Sequence, residues 1–283
     1  MKRAFRVIAF MYRESKLKIL EQVLMEHKNW GAVVCDVAIT TNTNDKNEIK
    51  KIEEIGRKAE INNFQVVSYP ELPNNWLLPW AHKPLLLAAY NLKKYDYYLY
   101  SEDDIFITKA NIEYFDQHRV LLKKFHLYPM FTRVEWSKRN AQWVFTDIQH
   151  RIRLDQTSCI KFSNVDYDYY CSTNPYQAML MYDNELMNEH INSQTFDIRL
   201  YGGVENISSN PNHPGGGVAE KAALGLTFQG LTSPLTSRCL IPLHHYYHCI
   251  DTRAFVHHLG DAYADKHDIF GRITVFDLVE LSG

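Results

Sequence analysis

The first seventy residues alternate apolar runs with amphipathic ones. Residues 4–10 (AFRVIAF) and 32–40 (AVVCDVAIT) are apolar runs of strand length, and 64–69 (FQVVSY) is a shorter one. Between them, residues 14–27 set Leu17, Leu20, Val23 and Leu24 on one helical face, and 47–61 is a charged, helix-forming run. This β-α-β-α-β order predicts a parallel sheet with right-handed crossovers. A further apolar helix is expected over 85–92, and an aromatic strand over 95–100 (YDYYLY). The pattern then loosens. Residues 125–200 alternate short β-like runs with polar loops, 206–217 (NISSNPNHPGGG) is the strongest loop signal, and a short helical pattern follows at 218–226. No repeat, low-complexity tract or linker divides the chain, so one α/β domain is expected. Ligands of such sheets bind beyond the carboxyl ends of the strands.

Composition narrows the classes of function. Across 283 residues the formal net charge is -2, which supplies no positive field for a nucleic-acid backbone. Hydrophobic residues make up 46% and charged residues 23%, a globular balance. No run approaches the ~20 apolar residues of a membrane span, and residues 1–12 lack the pattern of a signal peptide. A location in the cytoplasm, or on the periphery of a membrane, is expected. The five cysteines (35, 159, 171, 239, 249) are odd in number and form no CxxC pair, so reduced thiols are the simpler reading. The 18 Tyr and 5 Trp offer flat faces with one polar atom, suited to stacking on sugars and bases, although most such rings serve an ordinary core.

The sharpest chemical signal is Glu102-Asp103-Asp104, placed where the aromatic strand ends. Three adjacent carboxylates repel one another unless a cation is shared. Mg²⁺ and Mn²⁺ take hard oxygen ligands and borrow the rest from substrate phosphates. The strand end is also where an α/β ligand site lies. The loops after the first two strands, Phe10-Met11-Tyr12-Arg13 and Thr40-Thr41-Asn42, open toward the same crevice.

The segment Tyr97-Tyr98-Leu99-Tyr100-Ser101-Glu102-Asp103-Asp104-Ile105 resembles the D-x-D region of GT-A glycosyltransferases, with Glu at the first place of the triplet. The N-terminal element order is similar to the nucleotide-binding half of that family. The resemblance implies a Rossmann-type donor half (about 1–108) with a mixed sheet, and an acceptor-binding and catalytic half (about 109–283). It implies transfer of a sugar from a nucleotide-sugar, UDP being the favoured carrier, to a glycan or other hydroxyl acceptor, with Mn²⁺ or Mg²⁺. By position Asp104 would be the direct metal ligand, with Glu102 at the ribose or reaching the metal through water, and Asp103 beside them. Phe10, Tyr12, Arg13, Thr40 and Asn42 would hold base and ribose, and Lys83 would approach the donor. Pro84 fits the first turn of a helix, which puts Lys83 at a helix N-terminus, where anions are favoured.

Glu220, after the glycines at 215–217, matches the general base near the start of a comparable helix in inverting members. Asp183 and Asp197 are alternatives, and a first-turn Glu is favoured by the macrodipole whatever its chemistry. The resemblance also implies a late histidine on the metal, His257 or His258, and imidazole is a competent ligand. His244, His245 and His248 form a separate group without a zinc-site pattern. Residues 133–136 and 175–180 are expected to line the acceptor half, with Met179 and Leu180 in the core. Two rival readings remain. A sugar nucleotidyltransferase would carry a Gly-rich basic loop after the first strand, where this chain has Met11-Tyr12-Arg13-Glu14. The other is a non-catalytic carbohydrate-binding protein on the same scaffold.

Overall fold

A computed structural model describes residues 1–72, 75–172, 174–196, 222–266 and 269–280. The fold is mixed α/β, in two compact units, and the chain enters each unit twice. The first unit takes residues 1–108 and 178–226, the second 109–177 and 227–283.

The first unit opens with β1 (Lys2–Phe10), α1 (Leu17–Met25), β2 (Val33–Thr41), α2 (Lys46–Lys58), β3 (Phe64–Ser68), α3 (His82–Asn91) and β4 (Tyr97–Glu102). β1 lies parallel to β2 on one side and to β4 on the other, and β3 continues beyond β2. The later strand Met179–Asp183 runs antiparallel along the outer side of β4. β1 is thus central, and its residues 4–10 are all buried, as a parallel strand covered on both faces requires. α1 packs on α2, and α3 packs on the helix Asn184–Ile191. Asp45 caps α2 by accepting from the amides of Asn47 and Glu48 at 2.8 and 3.1 Å. Gly56 is required where α2 meets β3, since a Cβ there would lie 2.5 Å from the Phe64 ring.

The helix Lys109–Leu122 belongs to the second unit, and the apolar pattern gives no sign of it. Its buried face carries Asn111, His118 and Arg119, which read as polar in sequence. Each has tertiary partners. Asn111 Nδ2 donates to the carbonyls of Arg253 (2.7 Å) and Phe255 (2.9 Å), His118 bonds Tyr169 and Asp251, and Arg119 Nη1 donates to the Leu127 carbonyl at 2.9 Å. Around this helix Leu122, Leu127, Tyr169, Cys171 and Leu240 form a core cluster. One sheet of the unit pairs Cys159–Lys161, Tyr167–Cys171, Cys239–His244 and Tyr128–Pro129. Elsewhere Thr132–Ser137 lies parallel to Phe255–His258 and antiparallel to Gln142–Phe145, and Ile152–Arg153 pairs with Val279–Glu280.

All five cysteines are free thiols. Among the described residues, no helix is long and apolar enough to cross a membrane.

Candidate functional site

The four parallel strands of the first unit end along one edge of the sheet. In register, Ala9 lies beside Glu102, Phe10 beside Thr41, and Thr41 beside Ser68. The strand order reverses at β1. The chain steps from β1 to β2 and β3, then returns to set β4 on the other flank of β1. Connections that leave neighbouring strands in opposite directions open a crevice, and α/β sheets bind ligands there. In this unit it falls between the carboxyl ends of β1 and β4.

Glu102 is the last residue of β4, and Asp103 and Asp104 make the turn into the short strand Ile105–Phe106. Asp103 is 4% and Asp104 7% exposed. Two near-buried adjacent carboxylates need a countercharge, and Lys16 provides it. It ends the 3-10 turn Glu14–Lys16 that follows β1. Its Nζ lies 2.8 and 3.1 Å from the two oxygens of Asp103 and 3.7 Å from Asp104 Oδ2. Burial, and then the Asp104 charge, raise Asp103 to about 7. Burial opposes the Lys16 ammonium, but Asp103 and Asp104 outweigh it and raise its pKa. Lys16 belongs to no motif in the sequence. The available signal was topological: it lies six residues past the end of β1, on the side of the switch point.

Arg6 aims the acidic turn. It is fully buried in β1, and its guanidinium donates from Nε (3.1 Å) and Nη2 (2.8 Å) to Ser101 Oγ and from Nη2 to the Ile105 carbonyl at 2.8 Å. The turn is thus held on both sides. Trp30 Nε1 fixes the exit by donating to the Ile107 carbonyl at 2.9 Å. Burial lowers the pKa of Arg6 to about 10, so it remains charged at neutral pH. Replacing Arg6 by Met should strip two buried acceptors of their donor and cost about 2 kcal/mol. A urea midpoint unchanged from wild type would show that the turn does not depend on it.

The loops after β1 and β2 are joined by Tyr12, whose amide donates to Asn42 Oδ1 at 2.8 Å. Tyr12 also donates its hydroxyl to Glu14 at 2.7 Å. Phe10 and Thr40 are fully buried, with Thr40 Oγ1 3.4 Å from the Ile8 carbonyl, while Arg13 is exposed. Tyr12, Arg13 and Lys16 therefore follow the end of β1 at the switch point, and Asn42 follows the neighbouring β2.

Lys83 lies in the first turn of α3, as its neighbour Pro84 suggests, but it is 1% exposed. Its Nζ donates to the Thr195 carbonyl at 2.6 Å and sits over the Trp80 ring. The neighbouring His82 stacks on Tyr100 at 4.2 Å between ring centroids. Asp183, an alternative base, caps the helix Asn184–Ile191 by accepting from the Leu186 amide at 2.8 Å. Met179 and Leu180 are buried in the strand beside β4.

In the second unit His257 stacks on Trp143 at 4.5 Å, and burial lowers its pKa. His258 Nδ1 bonds Glu135 Oε1 at 2.5 Å. Glu135 accepts three further bonds, from the amides of Ala262 (2.9 Å), Tyr263 (3.0 Å) and Ala264 (2.6 Å). Arg133 pairs with Asp147 through two bonds of 2.6 and 2.7 Å. Of the residues at 133–136 expected to face an acceptor, Arg133, Val134 and Glu135 are buried and Trp136 is 44% exposed. His245 Nδ1 lies 3.1 Å from Asp168, and His244 Nδ1 accepts from the amides of Tyr246 and Tyr247 at 3.3 and 3.4 Å. Glu220, Asp197 and the glycines at 215–217 lie outside the described residues.

Among the described residues, no three His, Cys, Asp or Glu side chains converge as a closed metal site. The acidic turn instead offers hard oxygen donors that already hold a cationic group. That donor set fits a Mg²⁺ or Mn²⁺ ion completed by substrate phosphates.

No family model matches the chain, and no curated protein does. Solved structures give weak likenesses. The mannosyltransferase PcManGT from Pyrobaculum calidifontis, in complex with GDP-Man and Mn²⁺, is 8% identical with a TM-score of 0.29, over 39% of this chain and 30% of that one. Residues 1–349 of S. aureus TarS are 10% identical with a TM-score of 0.36, over 93% of this chain and 59% of that one. The chain thus spans less than two thirds of either.

Proposed function

We propose that the protein is a metal-dependent glycosyltransferase that binds a nucleotide-sugar, a UDP-sugar first, at the switch point between β1 and β4. The observation that carries this reading is the near-buried acidic turn at the end of β4, beside the end of β1 and already engaged by a cationic side chain. Asp104 would hold Mn²⁺ or Mg²⁺, with Glu102 and Asp103 beside it. The ion, when bound, would offset negative charge on the leaving nucleotide diphosphate. Tyr12 and Asn42, tied together, would form the wall for base and ribose, and Phe10 and Thr40 support that wall from the core. Glu220 is the proposed base for the acceptor hydroxyl, which would make the transfer inverting.

Lys16 has a definite role in this reading. Its ammonium occupies the charge that a metal would neutralise, so the two compete for the same carboxylates. Lys16→Met should tighten Mn²⁺ binding about fivefold, the worth of about 1 kcal/mol for a partly exposed ion pair. Titration of Mn²⁺ by paramagnetic resonance reads it directly, and weaker or unaltered binding would count against the competition.

The test of the function is a thermal-shift titration with UDP and GDP, each with and without Mn²⁺. A ligand bound only by the folded state raises the midpoint by mass action. A manganese-dependent rise with one nucleotide is expected and identifies the carrier. No rise with either nucleotide in a well-folded sample would defeat the proposal.

A further inference from the structure

The second unit holds a cavity of about 620 Å³ that no step proposed above uses. Its wall is set by the strand Ile152–Arg153 and the residues around it. Ile152 is 1% exposed and its amide donates to the Leu278 carbonyl at 2.7 Å, which fixes the strand against the segment that leads into Val279–Glu280. Side chains alternate along a strand. With Ile152 turned into the core, Arg151 and Arg153 both turn outward, and both line the cavity.

Both side chains are exposed, and together they present two guanidinium forks to whatever anion enters the cavity. Four other arginines of this unit have internal partners. Arg133 has Asp147, Arg253 has Asp251, and Arg119 and Arg238 donate to backbone carbonyls. By contrast, among the described residues Arg151 and Arg153 make no side-chain hydrogen bond and no ion pair. Glu280, in register with Arg153 and on the same cavity wall, is not joined to it. The rest of the lining is polar: Gln149, His150, Gln156 and Thr157, over the apolar Ile273. Amides and a hydroxyl suit the hydroxyl groups of a sugar. A guanidinium pair suits a carboxylate or phosphate, which it can grip through two parallel bonds. The volume is in the range of pockets for small ligands, roughly 300–1,000 Å³.

We propose that this cavity binds an anionic sugar, a hexose bearing a phosphate or a carboxylate, with Arg151 and Arg153 on the anionic group and the Gln and Thr side chains on the ring hydroxyls. The assignment concerns the second unit by itself and goes beyond the glycosyltransferase reading.

The experiment is calorimetric titration of the full chain with glucose 6-phosphate, glucuronic acid, glucose and inorganic phosphate. It is repeated on Arg151→Ala/Arg153→Ala and on Arg57→Ala, an exposed arginine of α2, as a charge control. At least one of the two anionic sugars should bind, which of them naming the anion, at least tenfold tighter than glucose. The double variant should lose that binding at least tenfold with an unchanged melting midpoint, and Arg57→Ala should keep it. Binding of neither anionic sugar, or equal binding in the double variant, would overturn the assignment. So would inorganic phosphate binding as tightly as glucose 6-phosphate, which would mark an anion site without a sugar. The same samples are scanned with UDP and Mn²⁺. A nucleotide shift without anionic-sugar binding refutes the cavity's role alone. Anionic-sugar binding without any nucleotide shift refutes the donor site and leaves the cavity as a binding site.

Discussion

Asp104→Ala is expected to lower sugar transfer by about a thousandfold or more, on the scale seen when the main stabiliser of developing charge is removed. The fold should survive, and its stability should hold or rise. Asp104 lies in a crowded pair with Asp103, and its charge helps raise the Asp103 pKa to about 7. Taking that charge away relieves repulsion and leaves Lys16 its closer partner, 2.8 Å away on Asp103. The two readouts therefore part company. Transfer should collapse while the thermal midpoint stays level or climbs. A variant that keeps full transfer would remove Asp104 from the mechanism. One that loses transfer together with its fold would say only that the turn is structural.

The largest effect on stability is expected at Glu135. Its side chain is fully buried and accepts four bonds, from His258 Nδ1 and the amides of Ala262, Tyr263 and Ala264. Glu135→Ala leaves those donors facing an empty space, a loss of about 3–5 kcal/mol. That is a large share of the ~5–15 kcal/mol that holds a typical domain together. Burial alone would raise the pKa of Glu135, but the bonds from His258, Ala264 and Tyr263 outweigh it and hold it below the ordinary 4.5. The sign follows from linkage. A group whose pKa is depressed by folding adds stability above its unfolded value, and that stability fades as the pH falls through the acid range. Urea unfolding at pH 7 and at pH 4 should therefore show a gap between wild type and Glu135→Ala that narrows on acidification. A gap of constant size would mean that the carboxylate charge contributes nothing.

Much of the first unit was legible in the sequence. Residues 4–10 and the runs near 33–41 and 64–68 are apolar because parallel strands are buried on both faces, and the acids at 102–104 interrupt such a pattern where a strand must end. The limits of legibility have a physical cause. Lys16 and Arg6 act through space, on partners more than eighty residues away in the chain. Arg6 sits inside an apolar run, where a charge looks like an exception until Ser101 and Ile105 are seen to satisfy it. The helix Lys109–Leu122 was hidden for the same reason, since Asn111, His118 and Arg119 face inward. The segment at 133–136 read as an acceptor wall because it mixes charge with aromatics, but its charges are spent on Asp147 and on the backbone near 262–264. Arg151 and Arg153 carried no sequence signal. Two arginines in a polar stretch look ordinary until their lack of internal partners is known.

The path of the chain bears on its synthesis. β4 owes its outer neighbour, Met179–Asp183, to a stretch more than seventy residues further on. Until that stretch emerges from the ribosome, β4 is an edge strand whose unsatisfied amides and carbonyls border Tyr98, Leu99 and Tyr100, all fully buried in the finished unit. Long apolar edges of this kind recruit other chains. The first 108 residues form most of one sheet, yet on their own they are an incomplete unit with one adhesive side, and the nascent chain must keep that side covered until its closing strand arrives.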